Sequence, residues 1–273
     1  MKSGLTELAF IIDRSGSMSG LEDDTIGGYN SMLKEQQAVE GEAVVTTVLF
    51  DDEYELLHDR ANIQSIAPLT QEDYTVGGKT ALLDAIGMTI HKIRKAQRAT
   101  QEEFRAEKVL FIIITDGHEN ASRHYTADMI RERIEHQRQK YGWEFIFFGA
   151  NMDAIAEAGK IGIDADRALN YQADAFGTQS AYTAMSALST AFRTGGQILR
   201  QALLPSKNTQ SQAARAAFFH LKEVMGGLKK STDELVEQFA DLIEIAQANG
   251  GKLPDVNEIL RQVLSERDKE DKK

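Results

Sequence analysis

The chain contains no cysteine, which excludes a disulfide framework and any Cys-ligated zinc or iron–sulfur centre. That absence is in keeping with a reducing compartment. Long hydrophobic runs are missing as well. Met1–Glu7 leads into the apolar stretch Leu8–Ile12, which stops at Asp13. The stretch is too short for a signal-peptide core or a membrane span, and no later segment reaches spanning length. These absences point to a cytoplasmic protein without a membrane partner. There is no excess of basic residues either: the net charge is −11, of which −10 falls on residues 1–204. An acidic surface disfavours nucleic acid, polyphosphate and anionic lipid, and is compatible with binding cations. Internal repeats and low-complexity tracts are also absent.

What remains is an ordinary soluble composition, 42% hydrophobic and 27% charged over 273 residues. That length suffices for one generous domain and a smaller appendage. Four apolar runs stand out: Leu8–Ile12, Val44–Phe50, Val109–Ile114 and Phe145–Phe148. Each is nearly continuous rather than alternating, as expected of parallel strands buried on both faces. Tyr54–Ile63 follows Asp51-Asp52 so closely that it should pair antiparallel with the preceding strand, as an edge. Leu82, Leu83, Ile86, Ile90 and Ile93 share one face of a helix, and Ile130 with Ile134 marks another. A short helix over Asp153–Ala158, a last strand over Arg167–Gln172 and a helix from about Gln179 to Arg193 complete the pattern, with Gly195-Gly196 as the stop. Strands alternating with helices predict an α/β fold: a doubly wound, mostly parallel sheet with helices on both faces, Rossmann-like in layout. The first domain then covers residues 1–198. A linker at 199–210 precedes a helical extension at 211–273, whose amphipathic faces carry Phe219, Phe239 and Leu260.

Chemistry-bearing residues gather where strands end. The first run closes in Asp13-Arg14-Ser15-Gly16-Ser17, and the run Val109–Ile114 closes in Thr115-Asp116-Gly117. In a parallel sheet, loops leaving the carboxyl ends of strands converge on the binding crevice. Between these motifs, Gly77-Gly78-Lys79-Thr80 brings another hydroxyl just before a helix. Two carboxylates and three hydroxyls, without His or Cys, form a hard, oxygen-only donor set. Such a set suits Mg²⁺ or Mn²⁺.

D-x-S-x-S after a first buried strand, a Thr in a Gly-rich loop and T-D-G after a later strand resemble the metal-ion-dependent adhesion site of von Willebrand factor A (vWA) domains. The resemblance covers roughly residues 5–195. It implies Asp13, Ser15, Ser17, Thr80 and Asp116 as the metal set, the serines binding directly and the others directly or through water. It implies a binding module without turnover, in which a partner protein's Asp or Glu completes the coordination of Mg²⁺ or Mn²⁺. Arg14, Met18 and His118 are then expected on the rim, against the partner. Intracellular bacterial members of the family often work beside hexameric AAA+ ATPases, so the resemblance allows such a partner.

Competing motifs fail on chemistry. Gly78-Lys79-Thr80 lacks the P-loop's first glycine, Asp73 standing in its place, and has no buried strand before it. An aspartyl phosphotransferase needs an acid/base at the position of Ser15, which cannot serve as one. In Gly16-Ser17-Met18-Ser19-Gly20 the would-be nucleophile of a hydrolase elbow is Met18. Two other readings of the same chain remain: a metal-assisted hydrolase using the same Asp-rich edge, and an assembly protein driven by the helical tail.

Overall fold

The computed structural model describes residues 1–195. Six strands and five α-helices follow one another there: β1 (Lys2–Asp13), α1 (Glu22–Ala38), β2 (Ala43–Phe50), β3 (Tyr54–Asn62), α2 (Leu82–Ala99), β4 (Ala106–Thr115), α3 (Ala127–Tyr141), β5 (Glu144–Ala150), α4 (Ala154–Lys160), β6 (Ala168–Tyr171) and α5 (Ala175–Thr194). The linker expected at 199–210 and the extension at 211–273 lie outside the described residues, as do the last three positions of the domain expected over 1–198.

The strands form one sheet in the order β3-β2-β1-β4-β5-β6. Every neighbouring pair is parallel except β2 with β3, which is antiparallel at the edge. Alternate residues serve opposite faces. Ala9 and Ile11, Phe111 and Ile113, and Phe145 and Phe147 join the core beneath α2, α3 and α4, together with Ile86, Ile90 and Ile134. On the other face Phe10 meets Tyr29 of α1 edge-on at 6.1 Å, and α1 packs against α5. Covering both faces is what makes the strand sequences read as unbroken apolar runs.

Several elements depart from what periodicity predicts. Helix α1 shows no clear apolar stripe, because its buried set is Thr25, Gly28, Tyr29, Met32, Leu33 and Gln36, half of it small or polar. Only its opening acids, Glu22, Asp23 and Asp24, signal a helix start by complementing the dipole. Helix α5 begins at Ala175, earlier than Gln179, because the Asp174 carboxylate accepts the Gly177 N–H at 2.6 Å. It ends as expected at Gly195, which takes φ +81°. Strand β1 starts well before Leu8: Lys2 pairs with Ala106 across an irregular register, with Gly4 at φ +77° absorbing the kink.

The topology leaves a gap. From β1 the chain crosses to β2 on one side, and from β4 it crosses to β5 on the other. Loops leaving adjacent β1 and β4 therefore diverge, opening a crevice at their carboxyl ends.

The α1–α5 contact depends on Gly28. A methyl group built there would lie 2.5 Å from Cδ2 of Tyr182, and the Tyr182 ring is itself buried. Gly28→Ala should therefore destabilise the protein by about 1–3 kcal/mol despite alanine's better helix propensity. Urea unfolding of the full chain measures this; an unchanged or raised midpoint would show that the two helices can separate freely.

Candidate metal centre

Asp13 is the last residue of β1 and is fully buried. Both its oxygens are engaged. Oδ1 accepts the Ser15 backbone N–H at 2.7 Å, and Oδ2 accepts the Thr115 hydroxyl. The Thr115 hydroxyl also accepts the Gly117 N–H at 3.2 Å, so it ties the β1 carboxylate to the loop that follows β4. The Asp13 carbonyl accepts the Tyr74 hydroxyl at 2.6 Å, which anchors the strand end from beneath.

Beyond Asp13 the hydroxyls form a chain. Thr80 Oγ1 donates to Ser15 Oγ at 3.0 Å, Ser15 Oγ and Ser17 Oγ are 3.1 Å apart, and Ser17 Oγ donates to Asp116 Oδ1 at 2.5 Å. Asp116 Oδ2 is buried with no hydrogen-bond partner among the described residues. Gly117 defines the hollow they line. A methyl group on it would lie 2.6 Å from Thr80 Oγ1, 3.0 Å from Ser17 Oγ and 3.5 Å from Ser15 Oγ. The structure thus brings together all five residues expected in the metal set, from three separate loops.

The electrostatics of the pocket are one-sided. Burial pushes the Asp13 carboxyl up to about 6, although hydrogen bonds from Ser15 and Thr115 pull the other way. Burial also raises Asp116, opposed chiefly by its bond from Ser17. No lysine, arginine or histidine forms an ion pair with either carboxylate among the described residues. A buried charge normally finds a partner or coordinates a metal. Among the described residues no three His, Asp or Glu side chains cluster as metal ligands.

Of the three residues expected on the rim, only His118 is there. Its side chain is 64% exposed, with Nδ1 3.8 Å from Glu157 of α4. Met18 is fully buried, because an apolar side chain in the short helical turn Gly16–Met18 packs inward. Arg14 is also buried: its Nε donates to Asp51 at 3.1 Å and its Nη1 to Glu55. Both ion pairs turn the guanidinium away from a partner and toward the β2–β3 turn.

Sequence reasoning missed the residues that hold the loops. Asn120 Oδ1 accepts the Thr80 N–H at 3.0 Å, and the Asn120 N–H donates to the Thr80 carbonyl at 3.0 Å. Glu119 accepts the N–H of Leu83 at 2.9 Å, and those of Ala121 and Ser122. Asp84 does not cap its own helix; it accepts the N–H groups of Arg123, His124 and Tyr125. Gly78 is confined by Asp52, whose Oδ1 also accepts the Lys79 N–H at 3.1 Å. Most of these bonds join loops distant in sequence, so no local pattern announces them. A cleft of about 990 Å³ lies elsewhere, along Arg138, Trp143 and Gly162; Arg138 already donates to the Gly162 carbonyl and Asp164.

No protein-family model matches the sequence, and no curated protein is similar to it. Solved structures do match. The vWF domain of the type V pili tip protein Mfa5 from Porphyromonas gingivalis is 12% identical, with a TM-score of 0.50 over 70% of this chain and 96% of that one. A von Willebrand factor type A protein from Catenulispora acidiphila is 18% identical, with a TM-score of 0.47 over 68% of this chain and 42% of that one. Proximal thread matrix protein 1 from the mussel byssus, in a structure with a zinc-occupied MIDAS motif, is 15% identical, with a TM-score of 0.47 over 68% of this chain and 46% of that one. This chain spans less than half the length of the last two. The match to nearly the whole Mfa5 domain establishes the fold as that of a vWA domain.

The raised Asp13 carboxyl has a measurable consequence in metal-free protein. Between about pH 4 and 6 the folded state keeps a proton that the unfolded state has released, so stability falls as pH rises through that window. Above about pH 6 the penalty is complete. Asp13→Asn removes it and keeps an acceptor for Ser15, so in chelator near pH 7.5 the variant should be more stable by up to about 2–3 kcal/mol. That advantage should shrink toward pH 4. Denaturant unfolding across this range checks it; a variant less stable than wild type at every pH would contradict it.

Proposed function

We propose that this domain binds one Mg²⁺ or Mn²⁺ through Asp13, Ser15, Ser17, Thr80 and Asp116, and uses it to capture an acidic residue of a partner protein. The observation that carries this reading is the hollow beside Gly117: three hydroxyls converge on it, two buried carboxylates adjoin it, and neither has a cationic side chain. The donors are hard oxygens, as small divalent cations prefer.

Each residue has a distinct part. Ser15, Ser17 and Thr80 present neutral oxygens, and Asp116 offers a buried oxygen free of other bonds. Asp13, already occupied by Ser15 and Thr115, supplies charge from behind and fixes the loop. A bound divalent cation contributes positive charge and an open position for a carboxylate oxygen. Ser17 and Gly16 are exposed, so a partner's side chain can approach from above, and His118 stands at the rim.

We propose binding without turnover: Ser17, whose hydroxyl donates to Asp116, and Asp116 itself are both taken as donors to the cation. A cytoplasmic setting within a multi-protein assembly belongs to the same proposal, and the resemblance allows a AAA+ ATPase as a partner. Among the described residues no helix is long and apolar enough to cross a membrane.

Calorimetric titration of metal-stripped protein should show saturable binding of one Mg²⁺ or Mn²⁺ per chain, lost in Asp13→Ala/Asp116→Ala. Gly117→Ala should abolish it too, since the methyl occupies the hollow while leaving every ligand in place. Binding that survives in Gly117→Ala would place the ion elsewhere. For partner capture, both chelation and Asp13→Ala/Asp116→Ala should release a bound protein; one retained through both treatments would sink the reading.

A further inference from the structure

The hydrogen bonds around Thr80 form a closed, two-way clamp. On one side lies the start of α2, residues 80–84, and on the other the loop 119–125 that follows Asp116. Asn120 grips Thr80 twice, accepting its N–H and donating to its carbonyl, both at 3.0 Å. Glu119 takes the Leu83 N–H at 2.9 Å, one of the helix-start donors that has no partner within the helix. The grip is returned. Asp84 accepts the N–H groups of Arg123, His124 and Tyr125, and its own N–H donates to Ser122 Oγ at 3.0 Å. Glu119 closes the circuit by accepting the Ser122 hydroxyl at 2.8 Å.

We infer that Asn120 and Glu119 are positioning residues that hold the Thr80 hydroxyl over the hollow before any cation arrives. This rests on the metal-site reading above. Both act through the backbone of 80–83. The reason they are needed is local. Thr80 stands outside any helix or strand, at the end of a loop containing Gly77 and Gly78, the latter at φ +70°. A side chain there has no regular backbone to fix it. The clamp supplies that fixation from the loop that also carries Asp116, so Thr80 and Asp116 are set as one unit. Pre-organising ligands lowers the ordering cost of binding, and removing such outer partners typically weakens metal affinity by about 10–100-fold.

Asn120→Ala is the decisive variant, since it removes the acceptor of Thr80 N–H without changing charge and leaves the backbone bond intact. Titrated with Mg²⁺, it should bind about tenfold more weakly than wild type. Its unfolding midpoint in chelator should fall only slightly, as the loss of one hydrogen bond predicts, so the weaker binding is read on folded protein. Asn120→Asp, which keeps an oxygen at that position, should recover wild-type affinity or better. Glu119→Ala should also weaken Mg²⁺ binding and expose the Leu83 amide to faster hydrogen exchange in metal-free protein. If wild type binds Mg²⁺ and Asn120→Ala binds equally well, the clamp does not position Thr80 and the inference is overturned alone. If wild type binds no Mg²⁺ at all, the metal reading falls first and takes this inference with it.

Discussion

Two carboxylates buried without a cationic side chain are the constraint on which the rest of this structure turns. Asp13 and Asp116 sit at the ends of neighbouring strands, where the sheet's own packing removes water from them. A charge so placed is costly unless hydrogen bonds or a counter-charge offset the lost hydration. The protein answers with hydroxyls and backbone N–H groups only: Ser15, Ser17, Thr80 and Thr115 surround the pair. Such donors lessen the cost without cancelling the charge. The remaining imbalance is what a divalent cation would neutralise, and it shows in the upward displacement of both carboxyls.

The arrangement around that pocket divides the work by distance. Inside, five side chains carry the oxygens. Outside them, Thr115 and Tyr74 hold the β1 end, while Asn120, Glu119 and Asp84 lock α2 to the loop after β4. Arg14 serves the same outer layer, tethering its loop to the β2–β3 turn through Asp51 and Glu55. His118, Ser17 and Gly16 are exposed on this edge. Specificity would then come from shape and from the acidic surroundings, which disfavour a partner rich in negative charge away from its anchoring residue.

Much of this was legible from residues alone, for reasons that can be stated. Both faces of the sheet are covered, so strands appear as continuous apolar runs, and the four such runs are β1, β2, β4 and β5. Helix α2 buries Ile86, Ile90 and Ile93 on one face, so its period is plain. Helix α1 was not legible, because a helix that packs through Gly28, Thr25 and Gln36 has no apolar stripe to display. Asp13, Ser15, Ser17 and Asp116 were legible because they lie at or just after strand ends, where the chain's path is settled by the sheet. Thr80, in the long loop between β3 and α2, was marked only by its Gly-rich surroundings and the family resemblance.

What the sequence determined by itself was therefore the layering, the strand ends and the gathering of oxygen-bearing side chains near them, consequences of local hydrophobic pattern and turn chemistry. Only the tertiary structure decided which side chains face outward and which loops are bound to which. Met18 and Arg14, both beside the donors in sequence, turn inward because a hydrophobic pocket and two acids from the β2–β3 turn claim them. Asn120 reaches Thr80 across 40 positions of chain. No local pattern encodes such a bond, since it exists only once the start of α2 and the loop after β4 lie side by side.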